Sequence, residues 1–315
     1  PAGTMSRDVQ AALALWGMEG ASARLIAERE NSVWKIEHEG SAYALRFHRP
    51  GYRTPAELQS ELQWMAMLAE GGVSVPRPIP LRAGGFTGHL GDQALSMLTW
   101  MGGAPIGEAG ALFDTADPHV LAVNVGREMA RMHDLTDAWE PPAGFTRPDW
   151  RRAGLLGDDP LWGRFWEHPH LSASERDLLL QARAKADARL RETEQELDQG
   201  LIHADLLCEN VMMDAGRPIF IDFDDSAFGY RDFELATFLK KSMHQPYYGE
   251  MRAGLLEGYS IRRAVDGGAL DFALLLRALT YPGWIITRLD EPGGRERSAR
   301  QLAQALELAG NFVNT

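Results

Sequence analysis

Residues 201–225, LIHADLLCENVMMDAGRPIFIDFDD, gather His203, Asp205, Glu209, Asn210, Asp222, Asp224 and Asp225 around two short apolar runs. The runs, Val211-Met212-Met213 and Pro218-Ile219-Phe220-Ile221, flank Asp214-Ala215-Gly216-Arg217, a polar turn containing glycine, and so predict a β-hairpin. Pairing outward from the turn sets Met213 opposite Pro218 and brings Asn210 to the same open end as Ile221 and Asp222. Asp205 lies upstream in a segment too polar to continue the strand, which places it in a loop folded back over that end. Three such oxygen donors suit a hard cation such as Mg²⁺. For any single Asp-Asn pair, a surface hairpin with ordinary polar flanks is the better account. The whole pattern, H-x-D-x-x-x-x-N, a hairpin, then an aspartate ending an apolar strand, arises by chance on the order of one time in a hundred or less.

His203-Ala204-Asp205 through Asn210 resembles the catalytic loop of kinase-like phosphotransferases, and Ile221-Asp222-Phe223-Asp224-Asp225 resembles their second metal-binding segment. The wording is most similar to the aminoglycoside phosphotransferase and choline kinase family, in particular its type II homoserine kinase-like and stress-response kinase-like branch. That resemblance implies Asp205 as catalytic base, with Asn210 and Asp222 holding Mg²⁺ on the phosphates of ATP. Ala204 stands where these relatives usually carry glycine, a departure expected to leave the loop intact.

A chain of 315 residues that is 45% hydrophobic can bury a large core, and its length favours two lobes. A net charge of −12 and an isoelectric point near 5.2 argue against a nucleic-acid partner. One cysteine, Cys208, excludes an internal disulfide framework and fits a reducing compartment. No apolar run in the reading reaches the roughly twenty residues of a membrane span, and no charged-then-apolar leader is seen, so a cytoplasmic protein is expected. Pro1-Ala2-Gly3-Thr4 before Met5 reads as an expression scar outside the fold.

A short helix is expected over residues 8–16. Val33 to Glu37 and Ala42 to Phe47 then read as an antiparallel hairpin turning at His38-Glu39-Gly40. Tyr43, Leu45 and Phe47 share one face, which aims Arg46 to the other beside Ala44. Thr54-Pro55-Ala56-Glu57 is a capping box with proline at the first helical position. The helix it starts has the stripe Leu58, Leu62, Met65, Leu68 and ends at Gly71-Gly72. Glu61 falls inside that stripe, where a carboxylate either snorkels to water or needs a partner, and Arg46 is the candidate. The family resemblance favours the partner: it matches Arg46 to the phosphate-contacting cation and Glu61 to the glutamate that orients it, with arginine for lysine as in the homoserine kinase-like branch. It also places a phosphate-covering loop at Glu28-Arg29-Glu30-Asn31-Ser32, where Asn31 and Ser32 either donate to phosphate or only make the turn. The run Ala94 to Leu98 reads as a last strand, after which Thr99-Trp100-Met101-Gly102-Gly103 matches the hinge that holds the adenine ring, with Met97 and Thr99 at the nucleotide.

Beyond this point the chain reads as helical. Asp117-Pro118 starts a helix with Leu121, Val125, Met129 and Met132 on one face, and Ser172 with Glu175 caps another that runs to about residue 190. Trp150, Trp162 and Trp166 lie in an insert similar to one in the homoserine kinase-like branch, as packing residues. Tyr230 to Ala236 opens a further helix; relatives place aspartate where Glu234 stands, so the capping contact is expected to move to Asp232. Tyr281, Trp284 and Arg288 lie where relatives build acceptor pockets.

Together these readings predict an α+β, bilobal protein-kinase-like fold. Residues 5–98 form an antiparallel-sheet lobe with one main helix, residues 99–103 a hinge, and residues 104–315 a larger, mostly helical lobe. The expected reaction moves the γ-phosphoryl group of ATP to a hydroxyl, with Mg²⁺, in a monomer or homodimer that has no nucleic-acid or membrane partner. A small-molecule acceptor comes first, homoserine or another amino alcohol ahead of a sugar or aminoglycoside, and protein serine or threonine is the runner-up. A metallohydrolase built on His203, Asp205, Asp222 and Asp224 and a catalytically silent nucleotide-binding module are the competing classes.

Overall fold

The computed structural model describes residues 2–28, 31–113 and 117–315, with side chains from residue 8 onward. It divides into two compact units, one of residues 1–105, 135–147 and 211–224, the other of residues 106–134, 148–210 and 225–315.

The first unit is built on a five-stranded antiparallel sheet in the order β1-β2-β3-β5-β4, with β1 Ser22–Glu28, β2 Ser32–His38, β3 Ser41–Phe47, β4 Gly88–Leu90 and β5 Gln93–Thr99. Helix α1 (Ala2–Ala14) starts upstream of the expected residue 8 and includes part of the segment set aside as a scar. Val9, Ala12, Leu13 and Trp16 join Ile36, Leu45, Leu95 and Met97 in one buried cluster. The β2–β3 hairpin turns on Glu39 and Gly40, whose φ values of 48° and 78° match the twist of the flanking strands. Helix α2 (Pro55–Glu70) begins with the expected capping box at Thr54 and Glu57 and ends at Gly71, and its stripe Leu58, Leu62, Met65, Leu68 is buried.

The hairpin of residues 201–225 belongs to a second, three-stranded sheet of this unit, β11-β10-β6, with β6 Ala104–Pro105, β10 Val211–Asp214 and β11 Arg217–Phe220. Met213 does pair with Pro218. The ladder runs one pair further into the turn than expected: Asp214 pairs with Arg217, leaving Ala215 and Gly216 at φ 46° and 82° as a two-residue loop.

The second unit is mostly helical. It holds α3 (Pro118–Asp137, whose last turn clusters with the first unit), α4 (Arg152–Leu156), α5 (Ala173–Thr193), α6 (Arg231–Lys240), α7 (Tyr248–Ser260), α8 (Gly267–Ile285) and α9 (Gly294–Asn314). Two small antiparallel pairs accompany them, β7 (Gly107–Glu108) with β8 (Ala111–Leu112) and β9 (Gln199–Ile202) with β12 (Ala227–Tyr230). Asp117 caps α3 by accepting from the amides of His119 and Val120, and the Ser172–Glu175 capping box starts α5. The core joins Trp150, Phe165, Leu179, Phe233, Leu275 and Leu279 from several of these elements.

One expectation is corrected here. Residues Gly267–Arg288 are long and apolar enough to cross a membrane, yet 78% of that window is buried inside the protein. The reason is position: α8 is flanked by α6 and α9, so nearly every face of it must be apolar.

α3 and α7 approach so closely that only glycine fits: a Cβ on Gly258 would lie 2.0 Å from the carbonyl oxygen of Val123. Gly258→Ala should therefore cost roughly 1–3 kcal/mol in urea unfolding, the range for forced overpacking against backbone. A loss under half of that would mean that the helices part easily.

Candidate active site

In the first unit, alternation along β3 puts Leu45 in the α1 core and Arg46 on the opposite face. Arg46 is 6% exposed and Glu61, on α2, fully buried. Arg46 Nη2 donates to Glu61 Oε1 at 2.6 Å, and Arg46 Nε donates to Ser96 Oγ, the residue opposite it on β5, at 3.3 Å. The partnership that the helical wheel left open and the family resemblance favoured is therefore present. Glu61 has a second cation that the sequence did not announce: Arg147 Nη1 lies 3.9 Å from Glu61 Oε2. Arg147 also donates to the carbonyl oxygens of Glu57 and Asp224, at 2.9 and 2.7 Å. No local pattern marks it, because its partners, main-chain oxygens and the Glu61 carboxylate, are all far away in sequence.

Burial alone would raise the Glu61 pKa, but the Arg46 and Arg147 guanidiniums overcome it and hold the carboxyl at about 2. Burial opposes the charge on Arg46 as well, and is outweighed by Glu61, Asp224 and Asp222. The carboxylates of the 222–225 segment thus act on the same cation as Glu61. Asp222 lies two residues past the end of β11, after Ile221, and has φ 66°, a left-handed backbone that L-residues with a side chain seldom adopt.

The other nucleotide-side residues are placed differently. Met97 pairs with Leu45 on the α1 face and is fully buried there, so it is not brought to the Arg46 face; Ser96 and Leu98 of β5 are. Thr99 is still in the strand, and its hydroxyl accepts from the Arg77 amide at 2.9 Å. Asn31 Oδ1 accepts from the Arg49 amide at 2.9 Å, so its carbonyl ties the start of β2 to the chain just after β3, and Ser32 is the first residue of β2, opposite Phe47. Arg29 and Glu30 of the expected phosphate loop lie outside the described residues.

In the second unit, β9 leads into the loop of His203, Asp205 and Asn210. Asn210 Nδ2 donates to the main-chain oxygen of Asp205 at 2.9 Å and to its Oδ2 at 3.0 Å. The fully buried His203 accepts the Asp205 amide at Nδ1, at 3.3 Å. Ala204, where glycine was the expected residue, has φ 65°, which is why glycine suits the position. Glu234 on α6 holds this strained turn, accepting from the amides of His203 at 2.5 Å and Ala204 at 3.0 Å. The capping contact expected at Asp232 is not made: α6 has Tyr230 as its N-cap, without a side-chain cap hydrogen bond, and Glu234 serves the loop amides instead. Burial pushes the Glu234 carboxyl up to about 7, against the two amide hydrogen bonds, which favour the ionised form.

Arg277 on α8 was not anticipated. It is fully buried, and Nη2 donates to Asp205 Oδ1 and to the Tyr281 hydroxyl, both at 3.2 Å. A lone cation inside Ala273-Leu274-Leu275-Leu276-Arg277-Ala278-Leu279 was the available signal, by the same argument that singled out Glu61. Trp150 and Trp162 pack edge to face at 5.0 Å, and Trp284 carries Arg288 over its ring at 4.2 Å. Cys208 is chemically quiet: burial, then the neighbouring Glu209 carboxylate, push its thiol up to about 12. Among the described residues no three His, Cys, Asp or Glu side chains group to hold a metal, as the metallohydrolase class would need. With Asn210 Nδ2 committed to Asp205, its Oδ1 is the atom left for a hard cation.

A sheet presenting a buried Arg-Glu pair, and a helical unit presenting an Asp-Asn loop, are the parts of a kinase-like phosphotransferase. The solved structure of a microcompartment-associated aminopropanol kinase matches with a TM-score of 0.81 and 28% identity, covering 98% of each chain. An amicoumacin kinase in complex with AMP-PNP, Ca²⁺ and Ami shares the fold, with a TM-score of 0.77 and 19% identity over 96% of this chain and 93% of that one. By sequence, the homoserine kinase of Brucella abortus (strain S19) is 27% identical over 82% of this chain and 76% of its own. Residues 22–272 match the phosphotransferase enzyme family, and the chain belongs to it.

Glu61→Gln should destabilise the protein by about 3–5 kcal/mol at pH 7, because two buried guanidiniums lose their countercharge. The sign with pH follows from the lowered pKa. The Glu61 contribution is complete above its unfolded value, near 4.5, and is lost as pH falls toward about 2. The gap between wild type and variant in urea unfolding should be flat from pH 8 to 5 and narrow below about 4.5. A gap that widens on acidification would contradict this charge assignment.

Proposed function

We propose that this enzyme transfers the γ-phosphoryl group of ATP to the hydroxyl of a small amino alcohol, with homoserine the first candidate. The observation that carries the reading is the Asp205–Asn210 pair, joined through both the side chain and the main chain of Asp205. Asp205 orients the acceptor hydroxyl and takes its proton as the acceptor oxygen bonds to the γ-phosphorus. The bond from the γ-phosphorus to the β–γ bridging oxygen breaks, and ADP leaves. Arg46, oriented by Glu61, faces the phosphates. Mg²⁺ would be held by Asn210 Oδ1 and Asp222 and would neutralise charge on the phosphate oxygens. The hairpin register supports that assignment, since Asn210 and Ile221 are the next residues outward from the Val211–Phe220 pair.

Residues 99–103 serve as the hinge between lobes of residues 5–98 and 104–315, and the base lies along the Arg46 face of the sheet, beside Ala44 and Leu98. Thr99 borders it, and Asn31 and Ser32 shape the turn that covers the phosphates. AMP-PNP and Ca²⁺ in the amicoumacin kinase complex support a nucleotide with a divalent ion. Amino-alcohol acceptors are supported by the names of two relatives, homoserine kinase and aminopropanol kinase. The single, buried Cys208 fits a cytoplasmic setting, and the active species is a monomer or homodimer.

A screen of hydroxyl compounds for phosphate transfer tests the acceptor class. Asp205→Asn should leave MgATP affinity nearly intact and lower transfer at least about a hundredfold, since the amide keeps the shape but cannot take a proton. Wild-type rates in that variant would remove Asp205 as base. Asp222→Ala should abolish Mg²⁺-dependent nucleotide binding in isothermal titration, and unchanged metal dependence would take Asp222 out of the metal site.

A further inference from the structure

The two carboxylate oxygens of Asp205 have separate donors. Asn210 Nδ2 holds Oδ2 at 3.0 Å from within the loop, and Arg277 Nη2 holds Oδ1 at 3.2 Å from α8. A carboxylate gripped at both oxygens cannot rotate about its Cβ–Cγ bond without giving up a hydrogen bond. Arg277 is itself immobilised. Its guanidinium carbon lies 4.6 Å from the Trp162 ring, 4.8 Å from Tyr281 and 5.3 Å from Phe233, and Nη2 also donates to the Tyr281 hydroxyl at 3.2 Å. Nε and Nη1 have no hydrogen-bond partner among the described residues, so the ring faces solvate that side of the cation.

Burying a guanidinium with two nitrogens unanswered is costly, and a hydrophobic residue would pack this helix position at less expense. Its charge also favours the ionised form of the buried Glu234, through space rather than by a hydrogen bond. Lys240, fully buried, is itself a cation that Arg277 disfavours, and Glu234 is already engaged by the His203 and Ala204 amides. Lys241 is paired with Glu209 at 3.1 Å. Asp205 is the carboxylate to which Arg277 hydrogen-bonds.

We infer that Arg277 is a positioning residue: seated among Trp162, Tyr281 and Phe233, it holds the Asp205 carboxylate in the orientation that receives the acceptor hydroxyl. The inference rests on the reading of Asp205 as the base. It assigns the three rings to the protein's own cation, so they are not open to a ligand's ammonium group. The insert containing Trp162 then acts at the site through Arg277.

Arg277→Gln and Arg277→Lys test the inference. Calorimetric titration with MgATP gives the affinity and the number of competent sites, and turnover is then expressed per competent site. Transfer of the γ-phosphoryl group to water, giving ADP and inorganic phosphate, is the readout until an acceptor is in hand. Arg277→Gln should keep MgATP affinity within about twofold and lower kcat per competent site at least about tenfold, since small misplacements of a reacting group can cost up to about a hundredfold. Arg277→Lys should recover part of the loss, because it keeps the charge without the planar fork. A purely structural residue would reduce the number of competent sites and leave kcat per site unchanged, and that result overturns the inference. Should Arg277→Gln not fold, Arg277→Lys decides alone: wild-type kcat per site overturns the proposal and a reduced value supports it. Absence of Mg²⁺-dependent ATP turnover in the wild type would instead bring down the reading of Asp205 on which it rests.

Discussion

A carboxylate sealed from water at the face of a sheet has to be answered by a cation, and the first unit is arranged around one such answer. Glu61 is fully buried, and Arg46 meets it at 2.6 Å. Arg46 can reach it only because β3 alternates strictly, which forces Leu45 into the α1 core and Arg46 to the other face. The capping box at Thr54 and Glu57 sets the start of α2, and with it the phase that turns Glu61 toward that face. Arg147 completes the arrangement by joining Glu61 to the main chain at Asp224. Any substitution that shifts the phase of β3 or α2 strands a charge, so the elements are fixed by electrostatics as firmly as by packing.

The same logic runs through the second unit with different chemistry. Glu234 is buried beneath the loop and accepts from two main-chain amides, so its role is to hold backbone in place. That backbone is strained, since Ala204 sits at φ 65°. A left-handed alanine costs about 1 kcal/mol relative to an ordinary conformation, within the range that two hydrogen bonds offset. This explains how the loop holds an alanine at a position where glycine was expected.

What could be read from the chain, and what could not, divides by the range of the contact involved. The hairpin of β10 and β11, both capping boxes and the Arg46–Glu61 pair were legible, because each follows from residues close together or from one periodicity laid against another. Met97 was not: its match to a pocket residue came from position in a motif, while the pairing with Leu45 that turns it into the core is a matter of strand register. Arg147 could not be read at all, since its hydrogen bonds go to carbonyl oxygens that any residue carries. The cap expected at Asp232 is absent, because α6 has Tyr230 as its N-cap without a side-chain hydrogen bond, and the Glu234 bonds to loop amides 31 and 30 residues away leave no local pattern.

Arg277 shows what a stricter use of one rule would have yielded. A buried charge needs a partner. It holds for Glu61, a polar residue within an apolar stripe, and is just as binding on an arginine inside the apolar run of α8. Applied there, it demands an acid from outside the helix, and the motif that most constrains the chain supplies one in Asp205. The aromatic residues of the 148–169 insert and of the end of α8 then have a stated task. They lower the cost of keeping a guanidinium in the core, which a purely aliphatic lining could not do.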